Sequence, residues 1–172
     1  LYNIYYNRNV DPDQDQPWSG DFTTFNEIIF QPPTDPDALV TSEGLTFGCF
    51  LGMGAKDPNS RVSYGNFSTT DGTPKNVWDG TGGYSNSGSN TQDEATSIAF
   101  YIDKIAPSEC KCIAFAYILN IDDLDDALDA TISDVNINAD SIDITSTETA
   151  YICPGDSTQL TILNGEDYIW SW

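Results

Sequence analysis

Two stretches in the middle of the chain constrain its fold more than any others. In "TSIAFYIDKI" (96–105), Ile98, Phe100 and Ile102 alternate with Ala99, Tyr101 and Asp103. In "KCIAFAYIL" (111–119), Ile113, Phe115, Tyr117 and Leu119 alternate with Cys112, Ala114, Ala116 and Ile118. A period of two is the signature of extended backbone, whose successive side chains point to opposite faces of a sheet. The intervening "APSE" has turn chemistry, so the pair predicts a β-hairpin, and its second strand, apolar on both faces, predicts a central position. Further strand candidates are "FTTFNEIIF", "GLTFGCFL", "RVSYGNFS", "DATISDVNI" and "DSIDITS", each bounded by Gly, Pro, Asp or Asn. Many short strands with turn signals between them predict an all-β fold, a β-sandwich rather than alternating α/β units. One segment breaks the pattern. In "NIDDLDDALDA", Ile121, Leu124 and Leu128 recur at helical spacing and Asn120 can cap the first turn, which predicts one short helix.

The charge balance narrows the class of partner. Six basic residues stand against 27 acidic ones in 172, a net charge of −21. Such a field repels phosphate backbones and anionic lipid, which argues against nucleic-acid binding and membrane-surface binding. It attracts divalent cations. Aromatic residues make up 12% of the chain, enough for a packed core where an acidic disordered tail would be poorer. No run of about 18 apolar residues exists to insert into a bilayer. Histidine is absent, which removes the usual general base and the commonest metal ligand. No nucleophile elbow, zinc-protease helix or phosphate-binding glycine loop occurs, and the chain is read as a non-enzyme.

Four cysteines stand at Cys49, Cys110, Cys112 and Cys153, without a CxxC spacing for zinc. They are candidates for disulfides in an oxidising, extracellular place; the other reading is buried free thiols. Four cysteines allow three connectivities, and nothing in the spacing chooses among them.

Two segments carry candidate sites. "VDPDQDQPWSGD" sets Asp11, Asp13 and Asp15 two residues apart, the spacing by which carboxylates on a curved backbone converge on calcium. Gln16 and Phe22 occupy positions where an EF-hand loop wants Gly and Glu, and Asp21 can close the shell instead. The alternative is a solvated acidic loop. "NVWDGTGGYSNSGSN" places Trp78 and Tyr84 among glycines, serines and asparagines. With Trp18, these rings are candidates for a sugar-binding platform; the alternative is that Trp78 plugs the end of a sandwich.

From Ala150 the pattern restarts: "AYICPGDSTQLTILNGEDYIWSW". A Pro-Gly-Asp turn, an alternating strand at Leu160 and Ile162, an Asn-Gly turn and a strand with Tyr168, Trp170 and Trp172 on one face follow in order. Cys153 ahead of a later Trp fits the opening strands of an immunoglobulin-like domain. This stretch resembles the immunoglobulin/PKD-like repeats of large gliding-motility-associated surface proteins of Bacteroidetes, in which a CPGDS turn precedes a Y-x-W-S strand. "WSGDF", "NVWDGTGGY" and "IAPSECKCIAFAYIL" are similar to the β-rich modules that precede such repeats. The resemblance implies a β-sandwich surface module over 1–148 and the start of an immunoglobulin/PKD-like domain over 149–172, within a longer protein. It further implies type IX secretion, an extracellular cell-surface location, cell adhesion and gliding motility. The partners implied are neighbouring domains of the same polypeptide, surface glycans and a cell-surface motor or anchor. The alternative function is a secreted carbohydrate-binding module using exposed aromatics.

Overall fold

A computed structural model describes residues 1–67, 73–129 and 131. The chain folds into two antiparallel sheets packed face to face. The four-stranded sheet runs β1 (Tyr2–Val10), β8 (Ala95–Lys104), β5 (Ser60–Gly65), β6 (Tyr84–Ser85). The five-stranded sheet runs β7 (Ser89–Gln92), β2 (Thr24–Phe30), β3 (Ala38–Gly44), β4 (Phe50–Ala55), β9 (Ala116–Ile118). The predicted all-β sandwich is therefore the observed architecture. Among the described residues, three short helices accompany it rather than one: α1 (Gln16–Ser19), α2 (Pro74–Asp79) and α3 (Leu124–Asp129). The strand candidate "DATISDVNI" (129–137) starts at Asp129, which instead ends α3, and apart from Asp129 and Thr131 it lies outside the described residues, as do the predicted boundary near 148, the strand candidate 140–146 and the restart at 150–172.

The core follows from the strand period. Ala38 and Val40 of β3, Met53 and Ala55 of β4, Val62 and Tyr64 of β5, and Ile98 and Phe100 of β8 form one buried cluster between the sheets. These are alternate residues of each strand, as an inward face requires. Burying the Val, Ile, Met and Phe side chains among them contributes about 1.5–3 kcal/mol each. Gln31, just past β2, ties the sheets together. Its Nε2 donates to Val62 O at 2.7 Å, and its Oε1 accepts from Val62 N at 3.0 Å.

Short helices cover part of each outer face. Thr73 caps α2 by accepting from Asn76 N, and Val77 packs with Tyr84 and Ala99 on the far side of the four-stranded sheet. Asn120 caps a 3-10 turn over Ile121–Asp123 that leads into α3, and Leu128 joins Leu39 and Ile118 on the far side of the other sheet. This approach needs Gly54, because a Cβ there would meet Leu128 Cδ2 at 2.8 Å and Ala38 O at 2.6 Å.

The predicted hairpin is not the observed pairing. β8 pairs with β1 and β5, while β9 is a three-residue edge strand beside β4 in the opposite sheet. Residues 110–115 form no strand, yet Ile113 and Phe115 still pack against the core. Apolar alternation there reflects contact with the core rather than sheet pairing. "GLTFGCFL" is likewise mostly the β3–β4 connection, and β3 itself, "ALVTSEG", lies upstream of it.

Candidate metal centre and surface aromatics

The antiparallel register builds an acidic corner. Val10 pairs with Thr96, so the end of β1 and the β7–β8 connection meet at one end of the molecule. There the carboxylates of Asp11, Asp13 and Asp93 offer oxygens all within 4.8 Å of one another. Asp11 and Asp93 are exposed, Asp13 half-buried. Asp13 Oδ1 is inaccessible to solvent and has no hydrogen-bond partner among the described residues. Burial, reinforced by Asp11 and then Asp93, pushes the Asp13 carboxyl up to about 6. Three convergent hard oxygen donors, one of them orphaned, are a donor set that suits calcium.

The other two predicted ligands face elsewhere. Asp15 is 2% exposed and accepts hydrogen bonds at Oδ2 from Thr46 N (2.8 Å) and Phe47 N (2.7 Å). The bond from Phe47 N, helped by the Cys49 thiol and Thr46 N, holds its carboxyl below the usual range. Asp21 accepts from Thr23 N at 2.9 Å, which lowers its carboxyl likewise. Asp15 thus fastens the β3–β4 connection to α1, and Asp21 braces the turn entering β2. Asp93 takes the place beside Asp11 and Asp13. Its sequence neighbourhood, "NTQDEA", has no spacing signal; only the β1–β8 register brings it there.

These shifts set a pH prediction. The folded pKa of Asp13 lies above its unfolded value near 4, so the folded state binds the extra proton between about pH 6 and 4. Without divalent cation, stability is expected to rise as pH falls from 7 to about 4, by about 1 kcal/mol once solvent screening of this partly exposed group is allowed for. Asp15 and Asp21, held low, contribute stability that is lost on further acidification. Urea melts across pH 3–8 check this, and Asp13→Asn is expected to flatten the rise while leaving the acid limb.

The cysteines divide. Cys49 and Cys110 are free thiols, which corrects the reading of these two as disulfide candidates. Cys49 instead hydrogen-bonds the Asp15 carboxylate, which raises its pKa, and Cys110 is exposed. Cys112 is not among the free thiols, and Cys153 lies outside the described residues.

The three candidate rings do not form one platform. Tyr84 is 3% exposed and belongs to the cluster beneath α2. Trp18 is 72% exposed, and among the described residues its ring contact is with Phe47, edge-on at 6.5 Å. Trp78 is half-buried, with Tyr5 at 6.0 Å, Tyr101 at 5.8 Å and the Arg61 guanidinium 4.5 Å above its ring. No family model, curated protein or solved structure matches the chain.

Trp78 therefore has a structural role that can be measured. Trp78→Ala is expected to lower stability by about 2 kcal/mol, less than a fully buried tryptophan costs, and Tm by roughly 4–8 °C. An unchanged melt would show that the ring does not pack as described.

Proposed function

We propose that the chain is a structural and adhesive segment of a long, extracellular cell-surface protein. The observation that carries this reading is the resemblance of 151–172, with its CPGDS turn and Y-x-W-S strand, to gliding-adhesin repeats. An acidic two-sheet body suits a load-bearing spacer that holds a binding surface away from the cell. Its partners are then neighbouring domains of the same polypeptide and a surface motor or anchor. Peptide mapping of surface protein from the source tests it. Peptides from a band many times larger, with CPGDS-type units recurring, support the reading; a mature protein of this size overturns it.

Within that reading, calcium at Asp11, Asp13 and Asp93 stiffens one end of the module. Extracellular modules of this kind bind at about 10⁻⁴–10⁻³ M. At roughly ten times Kd, calcium adds about 1.4 kcal/mol, or roughly 3–6 °C in Tm. Calcium titration by scanning calorimetry checks this, with Asp93→Asn expected to abolish the shift. An equal shift in that variant overturns the site.

A second reading, a secreted carbohydrate-binding module, is favoured by the 72% exposure of Trp18 beside the exposed Phe47. Trp18→Ala, expected to leave Tm within about 1–2 °C because little packs on it, separates the two readings on a glycan array.

A further inference from the structure

The outer face of the four-stranded sheet holds a charge for which the described residues supply no carboxylate partner. Of the six basic residues, Lys56, Lys75 and Lys111 pair with Asp129, Asp79 and Glu109, exposed Arg8 donates to Tyr117 OH, and Lys104 lies 5.8 Å from the Tyr2 ring centre. The sixth is Arg61. It is half-buried, and desolvation lowers its pKa. No carboxylate lies within ion-pair distance of it among the described residues. Its Nη1 donates to Ser60 O at 2.6 Å and Pro58 O at 3.2 Å, which leaves Nε and Nη2 without an acceptor among those residues. A half-buried cation with no carboxylate partner among the described residues is an unusual arrangement in so acidic a chain.

The strand period explains what surrounds it. Arg61 pairs with Ala99, and Tyr5 pairs with Tyr101, on the face under α2. Tyr5 and Tyr101 lie 5.0 Å apart, and each lies within about 6 Å of Trp78. Lys75 brings a second cation, 5.8 Å from the Tyr5 ring centre. Among the described residues, Asp79, paired to Lys75, and Asp103, which accepts from Tyr101 OH at 3.2 Å, are the acidic groups shown in contact with this cluster.

We propose that Arg61, with Tyr5, Trp78 and Tyr101, forms a binding site for a carboxylate-bearing sugar, a uronic acid residue of a glycan. The free edge of a guanidinium is a planar fork that matches a carboxylate, and its stacking on Trp78 orients the fork at little entropic cost. The tyrosine rings offer apolar faces to the C–H side of a pyranose. A net charge of −21 opposes polyanions, so the site favours glycans with sparse carboxylates. The proposal rests on this face alone and holds whether or not the chain is part of an adhesin.

The test uses the full chain and two probes, digalacturonate and its neutral methyl ester, with acetate as the simple-anion control. Binding is followed by NMR on the Trp78 indole N–H, assigned with Trp78→Phe, to about 20 mM, well beyond a millimolar Kd. Saturable shifts with the acid, weakened at least about tenfold for the ester and for Arg61→Gln, support the site. Three results overturn it: no shift with the acid, equal binding of acid and ester, or acetate binding as well as the sugar acid. The acid-to-ester comparison is made on the unmutated protein, so it decides even if Arg61→Gln fails to fold.

Discussion

Phe100→Ala is expected to destabilise the protein by about 3–5 kcal/mol, the range for emptying a large aromatic site in a core. Phe100 is 1% exposed, lies between the sheets and contacts the Phe115 ring at 6.5 Å. It sits on β8, which is paired on both sides, so neighbouring strands restrict how far the backbone can move to fill the gap. Tm is then expected to fall by roughly 6–20 °C. Urea unfolding should show a lower midpoint with an unchanged slope, since the surface exposed on unfolding hardly changes. Tyr101→Ala, one residue on and facing outward, is expected to cost less than half as much, because that ring is partly solvated already. Equal costs at the two positions would contradict the inward–outward assignment of β8.

Gly44→Ala is expected to have the second largest effect, and its cause is one side chain. Gly44 lies at the end of β3 with a φ outside the left-handed region, so alanine is acceptable to the backbone itself. Taken alone, the exchange would stabilise by about 0.4–1 kcal/mol through the unfolded state. But an added Cβ would fall within the carboxylate of Asp15, whose Oδ2 is already held by Thr46 N and Phe47 N. Overpacking of this kind costs about 1–3 kcal/mol, and displacing the carboxylate would also release the β3–β4 connection from α1. The sign is expected to reverse on an Asp15→Ala background, where the obstacle is gone. A double-mutant cycle on melting temperatures reads this coupling. Additive effects would mean that Gly44 is small for some reason other than Asp15.

The calcium and Trp78 predictions are smaller because their groups lie near solvent. Asp11 and Asp93 are exposed, so cation binding competes with hydration and screening. Trp78 loses on truncation only the part of its surface that Tyr5, Tyr101 and Arg61 cover.

Much of the fold was legible because strand alternation is a local property. Ile98 and Phe100 point to one side of β8 whatever that strand pairs with. The helix at 124–129 was legible for the same reason, as Asn120 and the Leu124–Leu128 spacing act within a turn or two. Pairing was not legible. The "APSE" turn suggested that 96–105 and 111–119 were hairpin partners, but turn chemistry records only that the chain reverses, not which edge it returns to. Nor could alternation separate a central strand from a segment packed against the core: Ile113 and Phe115 are apolar because they touch the core cluster, outside any strand.

The candidate sites divide along the same line. Asp11 and Asp13 were visible as a spacing within one loop. Asp15 shares that spacing but is drawn into the β3–β4 connection, because backbone N–H groups there bind a carboxylate more favourably than a crowded acidic corner can. Asp93 and the Arg61–Trp78–Tyr5–Tyr101 face had no sequence signal, being assembled from segments distant in the chain. Thus the sequence alone determined strand class, one capped helix and a local acidic spacing, each set by interactions over a few residues. Only the tertiary structure decided strand pairing, which carboxylates meet, and which aromatic faces remain at the surface. Those depend on register between strands tens of residues apart, where a shift of one position turns every side chain to the opposite face.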